Sequence, residues 1–97
     1  MIIRGSELPA PRGRKDYGIG RYQDEVKHFV EWLTAPESPF GPHKHERLEF
    51  WYILEGEAIV ALDGQESRLA PGDLVVIAPW VDHGLRSESA TRWICFG

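Results

Sequence analysis

Apolar residues recur along this chain in short blocks separated by glycine, proline or charge, with no sustained 3.6-residue repeat. That rhythm predicts strands. Residues 5–20 carry Pro9, Pro11, Gly13, Gly18 and Gly20 among basic side chains and read as extended, so residues 1–25 are expected to form an N-terminal arm or edge strands. Residues 26–34 are rich in β-branched and aromatic side chains, which predicts a strand with both faces partly apolar. Pro36, Pro39, Gly41 and Pro42 make residues 35–42 irregular. Residues 48–54 are almost continuously apolar, as in a strand buried on both faces, with Glu49 the only carboxylate among them. Parity puts Trp51 and Ile53 on the side of Glu49, and Leu48, Phe50, Tyr52 and Leu54 on the other. Ala58–Leu62 predicts a strand, Asp63-Gly64 a two-residue hairpin turn, and Arg68 and Leu69 the start of the return. A second turn, Ala70-Pro71-Gly72-Asp73, precedes the strand Leu74–Ile77, and Thr91–Phe96 closes the series. Short strands roughly 10 residues apart, joined by glycine and proline turns, predict an all-β sandwich or barrel.

Composition narrows the picture. A chain of 97 residues with 42% hydrophobic content is one domain, residues 1–97, close to the lower limit for a self-sufficient core. Partner surface is therefore expected to help. A net charge of −4 argues against a nucleic-acid partner, whose footprint is basic, and Arg12, Arg14 and Lys15 read as a solvated turn. The single cysteine, Cys95, excludes an intrachain disulfide. No stretch resembles a signal peptide or approaches the roughly 20 apolar residues of a membrane span, so the expectations are a cytoplasmic location and no membrane. Cys95 lies in the apolar run 93–96 and reads as a buried thiol.

Four residues stand out chemically. His43 and His45 are one residue apart and, on a strand, point to the same face. Glu49 shares their parity, yet a straight strand would carry it roughly 13 Å past His45, far beyond the reach of metal bonds of about 2 Å. The chain is therefore expected to bend near Glu46, Arg47 and Leu48. His83 would arrive from a separate strand. A carboxylate in the apolar surroundings of Glu49 costs several kcal/mol unless compensated, and a cation supplies the compensation.

In these residues the chain resembles the cupin family. Gly41, His43, His45, Glu49 and Gly56 reproduce its first motif, with His43 to Gly56 at the family's spacing and Gly41 closer to the first histidine than is usual. The stretch from Gly72 to Ser87, with Pro79, Trp80, Val81, Asp82 and His83, resembles its second. Ala78 stands where a proline is common, Trp80 where the loop usually has glycine, and Ser87 in the asparagine position. The two motif-bearing stretches, 41–56 and 72–87, fall within residues 26–97. The resemblance implies a cupin-type double-stranded β-helix, a jelly-roll barrel. It also implies that His43, His45, Glu49 and His83 hold one divalent metal, and chains of this kind commonly pair as homodimers. Three imidazoles and a carboxylate suit Fe, Mn, Ni, Co, Cu or Zn, with two octahedral positions open.

Open positions imply chemistry on a small oxygenated molecule, of dioxygenase, isomerase or lyase type. The alternative is a non-enzymatic module that binds a metal together with a sugar or organic acid. A third reading is a purely structural metal site. Trp32, Phe40, Trp51, Trp80 and Trp93 are candidates to shape a pocket, Trp80 as a lid before His83. The sequence names no catalytic residue. His28, Glu31 and Tyr52 are candidates for proton transfer, although surface or core roles suit each of them better.

Overall fold

The computed structural model describes all 97 residues. Nine strands form two antiparallel layers: β1 (Arg14–Asp16), β2 (Phe29–Thr34), β3 (Phe40–His43), β4 (Glu49–Glu55), β5 (Ala58–Leu62), β6 (Gln65–Leu69), β7 (Leu74–Ile77), β8 (His83–Ser87) and β9 (Thr91–Phe96). The five-stranded sheet runs β1-β2-β9-β4-β7 and the four-stranded sheet β3-β8-β5-β6. No helix is long and apolar enough to cross a membrane.

Neither sheet closes, which corrects the expectation of a jelly-roll barrel: the molecule is a sandwich of two open sheets. Corner chemistry explains why. Between β6 and β7 the amide of Ala70 donates to the Asp73 carboxylate at 2.8 Å. The amide of Gly72 donates to the carbonyl of Ile53 at 2.8 Å, and Pro71 has no amide to give. These bonds tie the corner to β4 of the larger sheet, and no ladder joins β6 to β7. At the opposite edge β3 contains Pro42, and its pairing with β8 slips between Phe40 and His43.

The core lies between the layers. Trp51 and Ile53 of β4, Val75 and Ile77 of β7, and Trp93 and Cys95 of β9 face Ala58 and Val60 of β5, Leu69 of β6 and Leu85 of β8. Trp51 and Trp93 have no exposed surface and their rings lie 4.8 Å apart. Truncating either costs roughly 3–5 kcal/mol in cores of this kind. Parity within β4 is as the sequence predicts, with Glu49, Trp51 and Ile53 inward.

The opposite face of β4 differs from expectation. Tyr52 is 39% exposed, and Leu74 and Val76 beside it are 53% and 55% exposed. Residues 48–54 are thus well covered on one face only, and around Tyr52 the other lies open to solvent. The arm contributes β1, an edge strand with Arg14 paired to Trp32. Two glycines are required by backbone approach. Gly41 has φ +75° and a Cβ there would meet the His83 carbonyl at 2.8 Å; Gly56 has φ +88° and a Cβ would meet the Ala90 carbonyl at 2.3 Å.

Candidate metal centre

Three histidines converge at the end of the sandwich. His43 ends β3 and sits directly across the ladder from His83, the first residue of β8. His45 lies past the strand end, held where the Trp80 amide donates to its carbonyl at 2.8 Å. The chain then bends at Glu46 and Arg47, as the distance argument requires, and returns as β4 with Glu49 first. Ligand-capable atoms of His43, His45 and His83 all lie within 4.8 Å of one another.

Two observations show that these groups suit a cation. The Nδ1–H of His83 donates to the Val81 carbonyl at 2.8 Å, which leaves the lone pair on Nε2. That Nε2 is the one buried side-chain nitrogen or oxygen of the molecule with no hydrogen-bond partner, in a residue of 0% exposure. Polar atoms so placed are rare and costly. Similarly, His45 donates from Nδ1 to the Arg47 carbonyl at 3.0 Å, so in the neutral ring the Nε2 lone pair faces Glu49 Oε2 at 2.6 Å. Two lone pairs in opposition call for a proton between them, or for a cation that both atoms can bind. The histidine and carboxylate donors fit a first-row divalent ion.

Glu49 stands at a junction. It is 3% exposed; Oε2 meets His45, while Oε1 accepts from Trp51 Nε1 at 2.8 Å and from the Cys95 thiol at 2.5 Å. Burial pushes its carboxyl up, but the hydrogen bonds from Cys95 and Trp51, with His45 and His28 nearby, outweigh it and hold the group below the usual range. Glu49 therefore joins the histidines through His45 alone and forms a second cluster with His28 and Cys95. Partial burial, reinforced by His83 and His45, lowers His43, which favours the neutral imidazole that a metal requires. Burial and the Glu49 carboxylate push the Cys95 thiol up.

A cavity of about 250 Å3 opens on the centre, with Arg14, His28, Val30, Trp32 and Phe40 in its wall together with His43, His45, Arg47, Glu49 and Cys95. Of the five aromatic residues expected to shape a pocket, Trp32 and Phe40 line it. Trp51 and Trp93 form the core behind it, and Trp80 is 63% exposed and outside the wall. Its backbone, at φ +66°, anchors the His45 loop instead. Among the proton-transfer candidates, His28 lines the cavity. Glu31 is tied to Lys15 and Arg92, and Tyr52 lies on the outer face. Sequence reasoning missed the place of Cys95 at the centre. The alternation of Trp93 and Cys95 signalled an inward side chain, but only the register of β9 against Trp51 brings the thiol to Glu49.

The sequence profile of the cupin domain matches residues 30–97. The chain belongs to the cupin family. This cupin is 27% identical over 105 residues to an oxalate-binding protein of Thermotoga maritima, a match covering 94% of this chain and 86% of that one. Solved cupin structures share its fold. A predicted oxalate decarboxylase of Thermotoga maritima superposes with a TM-score of 0.81 at 20% identity, covering 99% of this chain and 96% of the other. An RmlC-like cupin of Shewanella frigidimarina gives 0.80 at 23% identity, with 96% and 85% covered.

Proposed function

We propose that this cupin is a metal-dependent binding module for a small organic-acid anion. His43, His45 and His83 hold one divalent first-row ion, with Glu49 Oε2 as the fourth protein ligand. The observation that carries this reading is the buried, unsatisfied Nε2 of His83 inside a three-histidine cluster. The anion follows from the wall: Arg14 and Arg47 add positive charge beside the cation, and Trp32 and Phe40 give apolar flanks. The name of the Thermotoga maritima relative, an oxalate-binding protein, supports the same class of ligand. A bound ion would supply a Lewis-acidic anchor for carboxylate oxygens, and the guanidinium groups would orient the remainder.

The test is elemental analysis of protein reconstituted with Mn, Co, Ni and Zn, followed by calorimetric titration with oxalate and malonate before and after chelation. About one metal per chain and anion binding only to the loaded form are expected, with oxalate recovered unchanged. A chain that takes up no metal, or binds the anion equally after chelation, overturns the reading. Consumption of oxalate would make the module an enzyme.

The exposed face of the larger sheet supports a second copy of this chain as partner. Val76, Phe50, Phe96 and Phe29 lie in one row across four strands, and Leu74, Tyr52 and Ile94 lie in the next. The rings of Phe50 and Phe96 stack at 5.2 Å. A self-complementary apolar face of this kind is what a twofold homodimer buries.

A further inference from the structure

We infer that Cys95 and His28 are positioning residues for the metal centre, linked in a hydrogen-bond chain that fixes Glu49 so that Oε2 alone is presented to a cation. The inference rests on the metal-binding reading above and adds two residues that ligate nothing.

The direction of the chain follows from donor chemistry. The Arg47 guanidinium can only donate, and it contacts His28 Nδ1 at 3.3 Å. Nδ1 therefore accepts, and the proton of the neutral ring sits on Nε2. That atom faces Cys95 Sγ at 3.2 Å, so His28 donates to sulfur. The carboxylate oxygen Glu49 Oε1 can only accept, so the thiol donates onward to it. Every link points the same way, from the solvent-facing Arg47 inward to Glu49. With Trp51 Nε1 as a second donor, Oε1 holds two hydrogen bonds and is unavailable to a metal.

The placement comes from the fold. Cys95 pairs with Val30 on one side and Trp51 on the other, so β9 inserts the thiol between the strand that follows His28 and the strand that begins with Glu49. It is 5% exposed, so the fold rather than solvent sets where its thiol points. The protonated Nε2 of His28 and the donor role of the thiol argue against a soft-metal site at these residues, although their atoms lie close enough for one. Removing such supporting partners weakens metal sites by about 10- to 100-fold in general.

The experiment measures Co2+ affinity by competition with a chromophoric chelator, with absorption spectra of the Co2+ forms, in wild type, Cys95→Ala, Cys95→Ser and His28→Ala. Cys95→Ala is expected to weaken binding at least about 10-fold, and Cys95→Ser, which keeps a hydroxyl donor, to restore most of it. His28→Ala should produce a smaller loss in the same direction, and it keeps the inference testable if Cys95→Ala does not fold. Equal affinity in all forms overturns the inference and leaves the metal centre standing. A thiolate-to-cobalt charge-transfer band in the wild type, absent in Cys95→Ser, also overturns it by making Cys95 a ligand. No Co2+ binding by the wild type brings down the metal reading and this inference together.

Discussion

Replacing His83 by leucine should separate stability from metal binding. In metal-free protein His83 Nε2 is buried without a partner. Leaving such a group unsatisfied costs about 1–3 kcal/mol. His83→Leu removes that cost and forfeits the Nδ1–H bond to the Val81 carbonyl, worth about 1 kcal/mol. Leucine nearly matches the ring in volume, so the site among Trp51 and the other histidines stays filled. The net change therefore lies between roughly zero and 2 kcal/mol in favour of the variant. In a chain of this size each kcal/mol shifts the melting midpoint by about 4–8 °C, so the stripped variant should melt level with the wild type or up to about 16 °C higher. Added metal at about 100 times its dissociation constant should stabilise the wild type by about 2.7 kcal/mol and leave the variant unmoved, which reverses the order. Differential scanning calorimetry of chelated and reconstituted samples measures both. A stripped variant melting about 4 °C or more below the wild type, or equal stabilisation of both proteins by metal, would refute the reasoning.

Acid should act in two stages. Burial depresses His43 and His28 below the ordinary histidine value of about 6.5, so as pH falls through that value the unfolded chain takes up protons before the folded one does. Stability is full above about pH 6.5 and declines below it. Glu49, also depressed, contributes stability that is present above its unfolded value of about 4.5 and is lost as pH falls through its lower folded value. Urea unfolding of chelated protein from pH 8 to 4 checks this, and a flat profile down to pH 5 would contradict it. Val76→Asp, on the outer face, should turn a dimer into a monomer in light scattering without changing metal content; a wild type that is already monomeric at micromolar and higher concentrations would remove the dimer.

Much of the fold was legible because alternation and turn chemistry are local. Ala58–Leu62, Leu74–Ile77 and Thr91–Phe96 fall where their residues predict, and Asp63-Gly64 joins β5 to β6. β3 was hidden by Pro42 within it and Pro39 before it, since Phe40–His43 pairs with β8 only through a slipped ladder that overlaps a stretch read as irregular. The difference between a closed barrel and two open sheets was also out of reach. It depends on which strands pair on either side of the corner at residues 70–73, where the Gly72 amide reaches across to Ile53. At the centre, spacing pointed to the three histidines and to the bend before Glu49. It could not show that Oε1 of Glu49 turns toward Trp51 and Cys95, because that follows from the register of β4 against β9.

His43 and His83 face each other across one rung of the β3–β8 ladder, while Glu49 belongs to the other sheet. A one-residue slip of either strand would turn its histidine to the opposite face and scatter the donors. Misregistered chains would thus carry the same amino acids and much the same strand content, yet hold no ion. If the centre loads as proposed, metal retained by a freshly refolded sample counts correctly paired molecules and reports errors that circular dichroism passes unnoticed.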